Sequence, residues 1–195
     1  MNVLALDLAL TTTGYAGPSG SGTFSPPTEA DRGMARLAWI RDEVLFLAEG
    51  TDLVVLEGYS FASRGRQHAT GELGGVVRLA LWERAVPVVE VPPSSLKKYA
   101  TGKGNSGKDQ VLAAAIRRLG FKGHDHNEAD ALWLLAMTRD HYGLPDVPSV
   151  PKAHRSALDG VEWPELAQAP VSAPEEHTGA TGPALNLFEH TEAVS

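Results

Sequence analysis

An aspartate interrupts an otherwise apolar segment at the start of this chain, and few folds accept a charge in that position. Asp7 lies within the run Val3–Leu10, which the pattern predicts to be a buried β-strand. A carboxylate among residues that become buried on folding costs free energy unless a cation or a metal ion pairs with it. The fold must therefore bring a positive partner to Asp7.

Two more apolar segments carry an acid at one edge. Leu53–Leu56 runs directly into Glu57, and Asp130 opens the helix-like run that continues through Met137. Three acids at the edges of three core elements predict one metal site, assembled from distant parts of the chain. If their carboxylate oxygens lay more than about 10 Å apart, no pair of ions could be shared between them.

Composition restricts the metal and the compartment. The 195 residues contain no cysteine, so zinc thiolates, disulfides and thiol nucleophiles are excluded. Oxygen ligands suit Mg²⁺ or Mn²⁺. The N-terminal apolar run is too short for a signal peptide, and no apolar stretch is long enough to span a bilayer. We therefore expect a cytoplasmic protein without a membrane partner.

The order of the predicted elements indicates an α/β fold. Three short strands at the N-terminus form an antiparallel meander, and later strands alternate with helices and are expected to pair in parallel. The predicted fold is a mixed five-stranded sheet flanked by helices. Ligands gather at the carboxyl ends of parallel strands, where Asp7 and Glu57 become neighbours if their strands pair. Residues 1–143 form the predicted domain, and the acidic, proline-rich residues 144–195 are predicted to be largely disordered.

The middle of the chain is rich in positive charge, as a surface for a polyanion requires. Residues 64–122 hold eleven lysines and arginines against four acids; a solvated helix surface is the alternative interpretation. Lys97 and Lys108 flank the glycine-rich loop Thr101–Gly107, whose backbone can approach a phosphate. Tyr59 and Phe61, beside Arg64 and Arg66, can stack on unpaired bases. The predicted DNA-binding residues are Tyr59, Phe61, Arg64, Arg66, Lys98 and Lys103.

Taken together, these segments resemble the RuvC-type Holliday junction resolvases of the RNase H-like (retroviral integrase-like) superfamily. The resemblance covers residues 1–142. The ordered set of matching segments is more specific than any one of them. The segments are LALDLA (4–9), TGYA (13–16), VVLE (54–57), PPSSLKK (92–98), TGKG (101–104), KDQV (108–111) and NEADAL (127–132).

The resemblance implies a bacterial or bacteriophage endonuclease that resolves Holliday junctions and other branched DNA. It implies that Asp7, Glu57 and Asp130 are catalytic acids holding two Mg²⁺ or Mn²⁺ ions, and that Lys97 and Lys108 are catalytic basic residues at the scissile strand. The family commonly has an acid or a histidine where this chain has Asn127. The amide oxygen can coordinate a metal without charge, and Asp125 can substitute for it. The cell would be a bacterium or a phage-infected host.

The resemblance also implies a homodimer, because paired nicks in a four-way junction require two sites related by a dyad. The helix around residues 73–81 is the predicted interface. In the tail, Leu185, Leu187 and Phe188 are similar to the short peptides that bind sliding clamps, although Ala184 stands where those peptides usually have glutamine.

Three other functions are compatible with the pattern. The chain could be another RNase H-like nuclease that acts on flaps or RNA–DNA hybrids. It could be a catalytically weak protein that binds branched DNA, with Asn127 marking the loss of one metal. An actin-like kinase fragment shares the aspartate-containing meander, but the phosphate-binding motifs of that class are absent from this sequence.

Overall fold

The fold is built on one mixed sheet of five strands. The computed structural model describes residues 1–58 and 67–166, apart from the side chains of residues 67–69. The spatial order of the strands is β3-β2-β1-β4-β5, with β1 in the centre. β1–β2–β3 is antiparallel and β1–β4–β5 is parallel, so the predicted sheet is confirmed. The strands are β1 (Val3–Asp7), β2 (Thr13–Gly17), β3 (Gly20–Phe24), β4 (Leu53–Glu57) and β5 (Val88–Val91).

Helices cover both faces of the sheet. The described helices are α1 (Gly33–Leu47), α2 (Gln67–Glu83), α3 (Pro93–Thr101), α4 (Lys108–Leu119), α5 (His126–His141) and the short α6 (Lys152–Arg155). Leu4 and Leu6 of β1 point into one core with α1 and α2. On the opposite face α5 packs on β1, β2 and β4, and α3 and α4 pack against α5. Because side chains alternate along a strand, Asp7 lies on the face of α5.

One boundary near the acids differs from the sequence-based expectation. β1 ends at Asp7 and does not continue to Leu10. The Thr13 hydroxyl accepts from Ala9 N at 3.2 Å and donates to Ala9 O at 3.1 Å, which closes a turn directly after the strand. α5 begins at His126, close to the start at Asn127 that the sequence pattern predicts, so Asp130 lies in its second turn. Asp7 therefore sits at the end of its strand, whereas Asp130 is buried within α5.

The packed part of the chain extends beyond the predicted boundary at residue 143. One compact unit runs from Met1 to Pro164. Its final part, residues 151–164, which we call the C-terminal strap, contains α6 and has buried Ala157 and Val161. Prolines hide this order in the sequence because the strap is fixed by individual contacts rather than by a periodic apolar face.

Some sequence predictions fall outside the described residues. They concern the DNA-binding roles of Tyr59, Phe61, Arg64 and Arg66, the clamp-binding peptide at Leu185, Leu187 and Phe188, and the disorder of the chain after residue 166. Among the helices that the structure does describe, none has the length and apolar character needed to cross a bilayer.

Candidate metal centre

Parallel pairing of the two central strands brings the first two acids together. Leu6 of β1 is in register with Leu56 of β4. Asp7 and Glu57 are the next residues of these strands and the last in each. Neighbouring residues in register project from the same face of a parallel sheet. The two carboxyl groups therefore meet at one edge of the sheet, as the sequence predicted.

The N-terminus of α5 brings the third acid to the same edge. Asp125 caps the helix, and its carboxylate accepts from Asn127 N at 2.8 Å and Glu128 N at 3.0 Å. The side-chain amide nitrogen of Asn127 donates to Thr12 O at 2.7 Å. These contacts fix the first turn of α5 on the β1–β2 turn, and Asp130 lies one turn further along the same helix.

Gly14 makes this close approach of helix and strand possible. It lies in β2, opposite Asp7 in the antiparallel register. A Cβ atom at this position would lie 2.0 Å from Asn127 O, a distance that no side chain tolerates. Only glycine lets the backbone of α5 rest directly on β2. No local sequence pattern indicates this role of Gly14, because the contact joins two elements far apart in the chain.

The three acids form one cluster of oxygen ligands. Asp7, Glu57 and Asp130 each offer a carboxylate oxygen, and these oxygens all lie within 4.8 Å of one another. Asp7 and Asp130 are buried, and Glu57 is partly exposed. The separation is well below the limit of about 10 Å set for shared ions. Carboxylates at this spacing are donors suited to a hard divalent cation.

Burial makes the charged form of the cluster costly. Burial raises the pKa of Asp7, against the lowering effect of its hydrogen bond with Glu57. Burial, and then the charges of Asp7 and Asp130, raise the pKa of Glu57 well above its ordinary value. Burial, followed by the charge of Asp7, raises the pKa of Asp130 to about 7. Without a cation, the cluster therefore retains protons near neutral pH.

Two lysines lie close enough to act on the acids. The charge of Lys108 lowers the pKa of all three carboxyl groups, and that of Lys97 lowers the pKa of Asp130. Lys108 is the first residue of α4 and Lys97 lies in α3. Among the predicted DNA-binding residues that the structure describes, Lys98 and Lys103 are not charges that shift these carboxyl groups.

Asn127 and Asp125 have structural contacts of their own. The Asn127 amide nitrogen is bound to Thr12 O, and one carboxylate oxygen of Asp125 caps α5. Neither belongs to the group of three acids with mutually close oxygens. The charge of Asp125 nevertheless raises the pKa of Asp7 and Asp130, so it lies near the cluster. The Asp-x-x-Glu spacing of Asp125 and Glu128 is typical of a capped helix start.

The chain is similar to known proteins of one family. Residues 32–139 match the family model described as crossover junction endodeoxyribonuclease RuvC; the matched segment includes Glu57 and Asp130 and begins after Asp7. Proteins of that name from Synechococcus sp. (strain WH7803) and Anaeromyxobacter sp. (strain Fw109-5) are 31% and 34% identical over 147 and 138 residues. These alignments cover 68% and 67% of this chain, and 94% and 66% of those proteins.

Solved structures support the fold. The Thermus thermophilus RuvC structure has a TM-score of 0.59 and 21% sequence identity, and the match covers 76% of this chain and all of that one. The structure of T. thermophilus RuvC in complex with Holliday junction substrate gives the same TM-score and identity, and the match covers 98% of that chain. The mixed sheet with its helices is therefore an arrangement already known from experiment.

Replacing Gly14 with alanine should displace α5 and with it Asp130. The new methyl group would overlap Asn127 O, so the helix must move or the hairpin must open. We expect the free energy of unfolding to fall by about 2 kcal/mol or more, as in other overpacked sites, measured by urea denaturation. Gly20→Ala is the control for an added methyl group in the same hairpin, because a Cβ there meets nothing within 4 Å, although its positive φ adds strain. A Gly14→Ala protein as stable as the wild type would contradict the close approach.

In a chelator, the stability of the protein should fall as pH rises from about 4 to about 7. The pKa of Asp130 is raised from 3.8 to about 7, so the folded state binds more protons than the unfolded state over that range. The contribution of Asp130 to the free energy of unfolding is fully present below its pKa in the unfolded state. It is lost as pH rises through its pKa in the folded state, by up to about 4 kcal/mol. Thermal unfolding in EDTA between pH 4 and pH 8 measures this loss.

Asp130→Asn should weaken that pH dependence, because the amide does not titrate. Asp52→Asn, at an exposed aspartate, should leave the dependence unchanged. An identical slope in the Asp130→Asn and wild-type proteins would show that Asp130 is not the group responsible.

Proposed function

The chain belongs to the RuvC family of crossover junction endodeoxyribonucleases, and we propose that Asp7, Glu57 and Asp130 are the catalytic metal ligands with which it hydrolyses DNA. It is accordingly an endonuclease that resolves Holliday junctions. The observation that carries the proposed site is the approach of three carboxylates from β1, β4 and α5 to within 4.8 Å.

The donor set fits Mg²⁺, with Mn²⁺ as a substitute. The cluster contains only carboxylate oxygens, and the described residues bring no cysteine or histidine into it. Two such ions, when bound, would lower the pKa of a water and offset charge on the leaving oxygen of a phosphodiester. Asp7, at the end of the central strand, would be one of the ligands of these ions. For the remaining coordination position, the Asp125 carboxylate and the Asn127 amide oxygen are the two candidates.

Lysines supply the positive surroundings that a DNA phosphate needs. Lys108 and Lys97 lower the pKa of Asp130, and we assign to both the role of contacting the strand that is cut. Residues 93–122 contain seven lysines and arginines but only one acid, Asp109. No ion pair within 4 Å involves these seven bases in the described parts of the chain. We assign the arms of branched DNA to this surface, with Lys98 and Lys103 as contacts.

We assign a homodimer to the protein through α2. Leu79 and Trp82 are three residues apart on this helix, and 57% and 76% of their surfaces are exposed. Residues with this spacing share one face, and large exposed apolar residues mark interaction sites. A second copy is the fitting partner, because a twofold axis supplies the two active sites that paired cleavage of a symmetric junction requires.

Asp7→Asn should abolish cleavage of a four-way junction while the protein still binds it. The substitution removes one negative ligand but keeps the shape of the side chain, and α3 and α4 remain unchanged. We expect the rate to fall by at least 10³-fold, about 4 kcal/mol in the barrier. A synthetic junction, a flap, an RNA–DNA hybrid and a linear duplex should be compared in Mg²⁺ and in EDTA.

Asp42→Asn, an exposed substitution on α1, is the matched control and should cut the junction at the wild-type rate. Normal cleavage by Asp7→Asn would remove Asp7 from the active site. If the wild type cut the hybrid or the flap faster than the four-way junction, that nucleic acid would replace the junction as its substrate.

Leu79→Glu with Trp82→Glu should convert the dimer to a monomer. The two carboxylates would face their own copies across the axis and would be desolvated there. Sedimentation equilibrium measures the mass, and cleavage of a junction in a supercoiled plasmid distinguishes paired nicks from single ones. Ile116→Glu, at an exposed aliphatic residue of α4 on the opposite face of the sheet, should leave the dimer intact. An unchanged mass for the double variant would exclude this face of α2.

A further inference from the structure

The C-terminal strap touches α3 at three points along its length. Gly160 lies against Ser95, near the start of the helix, such that a Cβ on Gly160 would be 3.3 Å from Ser95 Oγ. His154 Nδ1 donates to Tyr99 O at 2.9 Å. The ring of His154 covers Gly102, the C-cap of α3, where a Cβ would lie 2.8 Å from Nε2. The strap thus contacts α3 from near its first turn to its C-cap.

A buried carboxylate joins the strap, α3 and α5. Asp140, near the end of α5, accepts from Tyr99 OH at 3.0 Å and from Arg155 Nη2 at 2.6 Å. The Asp140 side chain is 6% exposed and that of Arg155 is 53% exposed. Removing one partner of a buried, hydrogen-bonded ion pair leaves an uncompensated charge, which costs much more than the pair gains. Arg155 is therefore the partner that makes Asp140 tolerable at this position.

The strap is anchored at its far end as well. Trp163 stacks on His141, with ring centroids 4.5 Å apart. Tyr142 OH donates to Pro164 O at 2.7 Å. Both partners lie at the end of α5, so the strap runs from α3 back to α5 and holds the two helices together.

Lys97 lies between the first two of these contact points. It is two residues before Tyr99 in α3, and Ser95 is two residues before it. Lys97 acts on Asp130 of α5 across the space between the same two helices. Fixing α3 against α5 therefore fixes the position of this lysine relative to the acids.

We propose that Arg155, through Asp140 and Tyr99, is a positioning residue that holds α3 against α5 and so keeps Lys97 near Asp130. The C-terminal strap is then part of the architecture of the active site. This inference rests on the proposed function, in which Lys97 contacts the scissile strand. It differs from that function because Arg155 contacts Asp140 and is not one of the three clustered acids or the two lysines beside them.

A double-mutant cycle tests whether Arg155 acts through Lys97. Single-turnover cleavage of a four-way junction at saturating protein is measured for Arg155→Ala, Lys97→Ala and the double variant. We expect Arg155→Ala to lose on the order of tenfold in rate, with junction affinity within about twofold of wild type. The double variant should be no slower than Lys97→Ala, because its lysine is already absent.

Three full-length variants serve as controls. Lys152→Ala removes a positive charge from the same short helix, where Lys152 is exposed and has no ion pair among the described residues; it should cleave at the wild-type rate. Arg155→Lys should restore part of the lost rate. If Arg155→Ala does not fold, the same cycle is run with Tyr99→Phe. This variant removes only the hydroxyl that donates a hydrogen bond to Asp140.

The outcomes separate this inference from the proposed function. If the fold-losses in cleavage rate of the two single variants multiply in the double variant, the role of Arg155 is merely structural and the inference is overturned. A wild-type cleavage rate for both Arg155→Ala and Tyr99→Phe would also overturn it. In both cases cleavage by the wild type leaves the proposed function intact. A wild type that binds the junction but never cuts it, in Mg²⁺ or Mn²⁺, would overturn both.

Discussion

The desolvation of three clustered carboxyl groups is the constraint on which the rest of this structure depends. Asp7, Glu57 and Asp130 offer oxygens within 4.8 Å of one another, and burial raises the pKa of each. Such an arrangement destabilises the folded chain near neutral pH unless protons or a cation compensate it. The surrounding structure has to be rigid enough to keep the three groups together despite that cost.

The rigidity comes from where each acid is attached. The first two end adjacent parallel strands in the centre of the sheet, so their separation is set by the strand spacing. The third depends on one helix terminus, which is capped by Asp125 and bound through Asn127 to the β1–β2 turn. Gly14 allows that helix to approach the sheet. Asn127 thus contributes to the centre through the position of α5.

The sequence predicted the sheet and the acids well because both follow from local pattern. An apolar run interrupted by Asp7 located β1, and one that ends in Glu57 located β4. Parallel pairing then places Asp7 beside Glu57. The contact of Gly14 with Asn127 could not be predicted, since it depends on the distance between two elements far apart in the chain. The strap was missed for the same reason. Its one available signal was Asp140, which recurs with Trp133 and Met137 at helical spacing on the buried side of α5.

Asp140 also shows how a structural acid differs from a functional one in this chain. It is buried like Asp7 and Asp130, but it receives two donors, Tyr99 OH and Arg155 Nη2. In the described residues no lysine, arginine or histidine lies within 4 Å of the three clustered carboxylates. Natural proteins satisfy a buried charge when its role is only to fold. A cluster left without cationic partners, beside lysines that act only at longer range, is instead poised to take up an external cation.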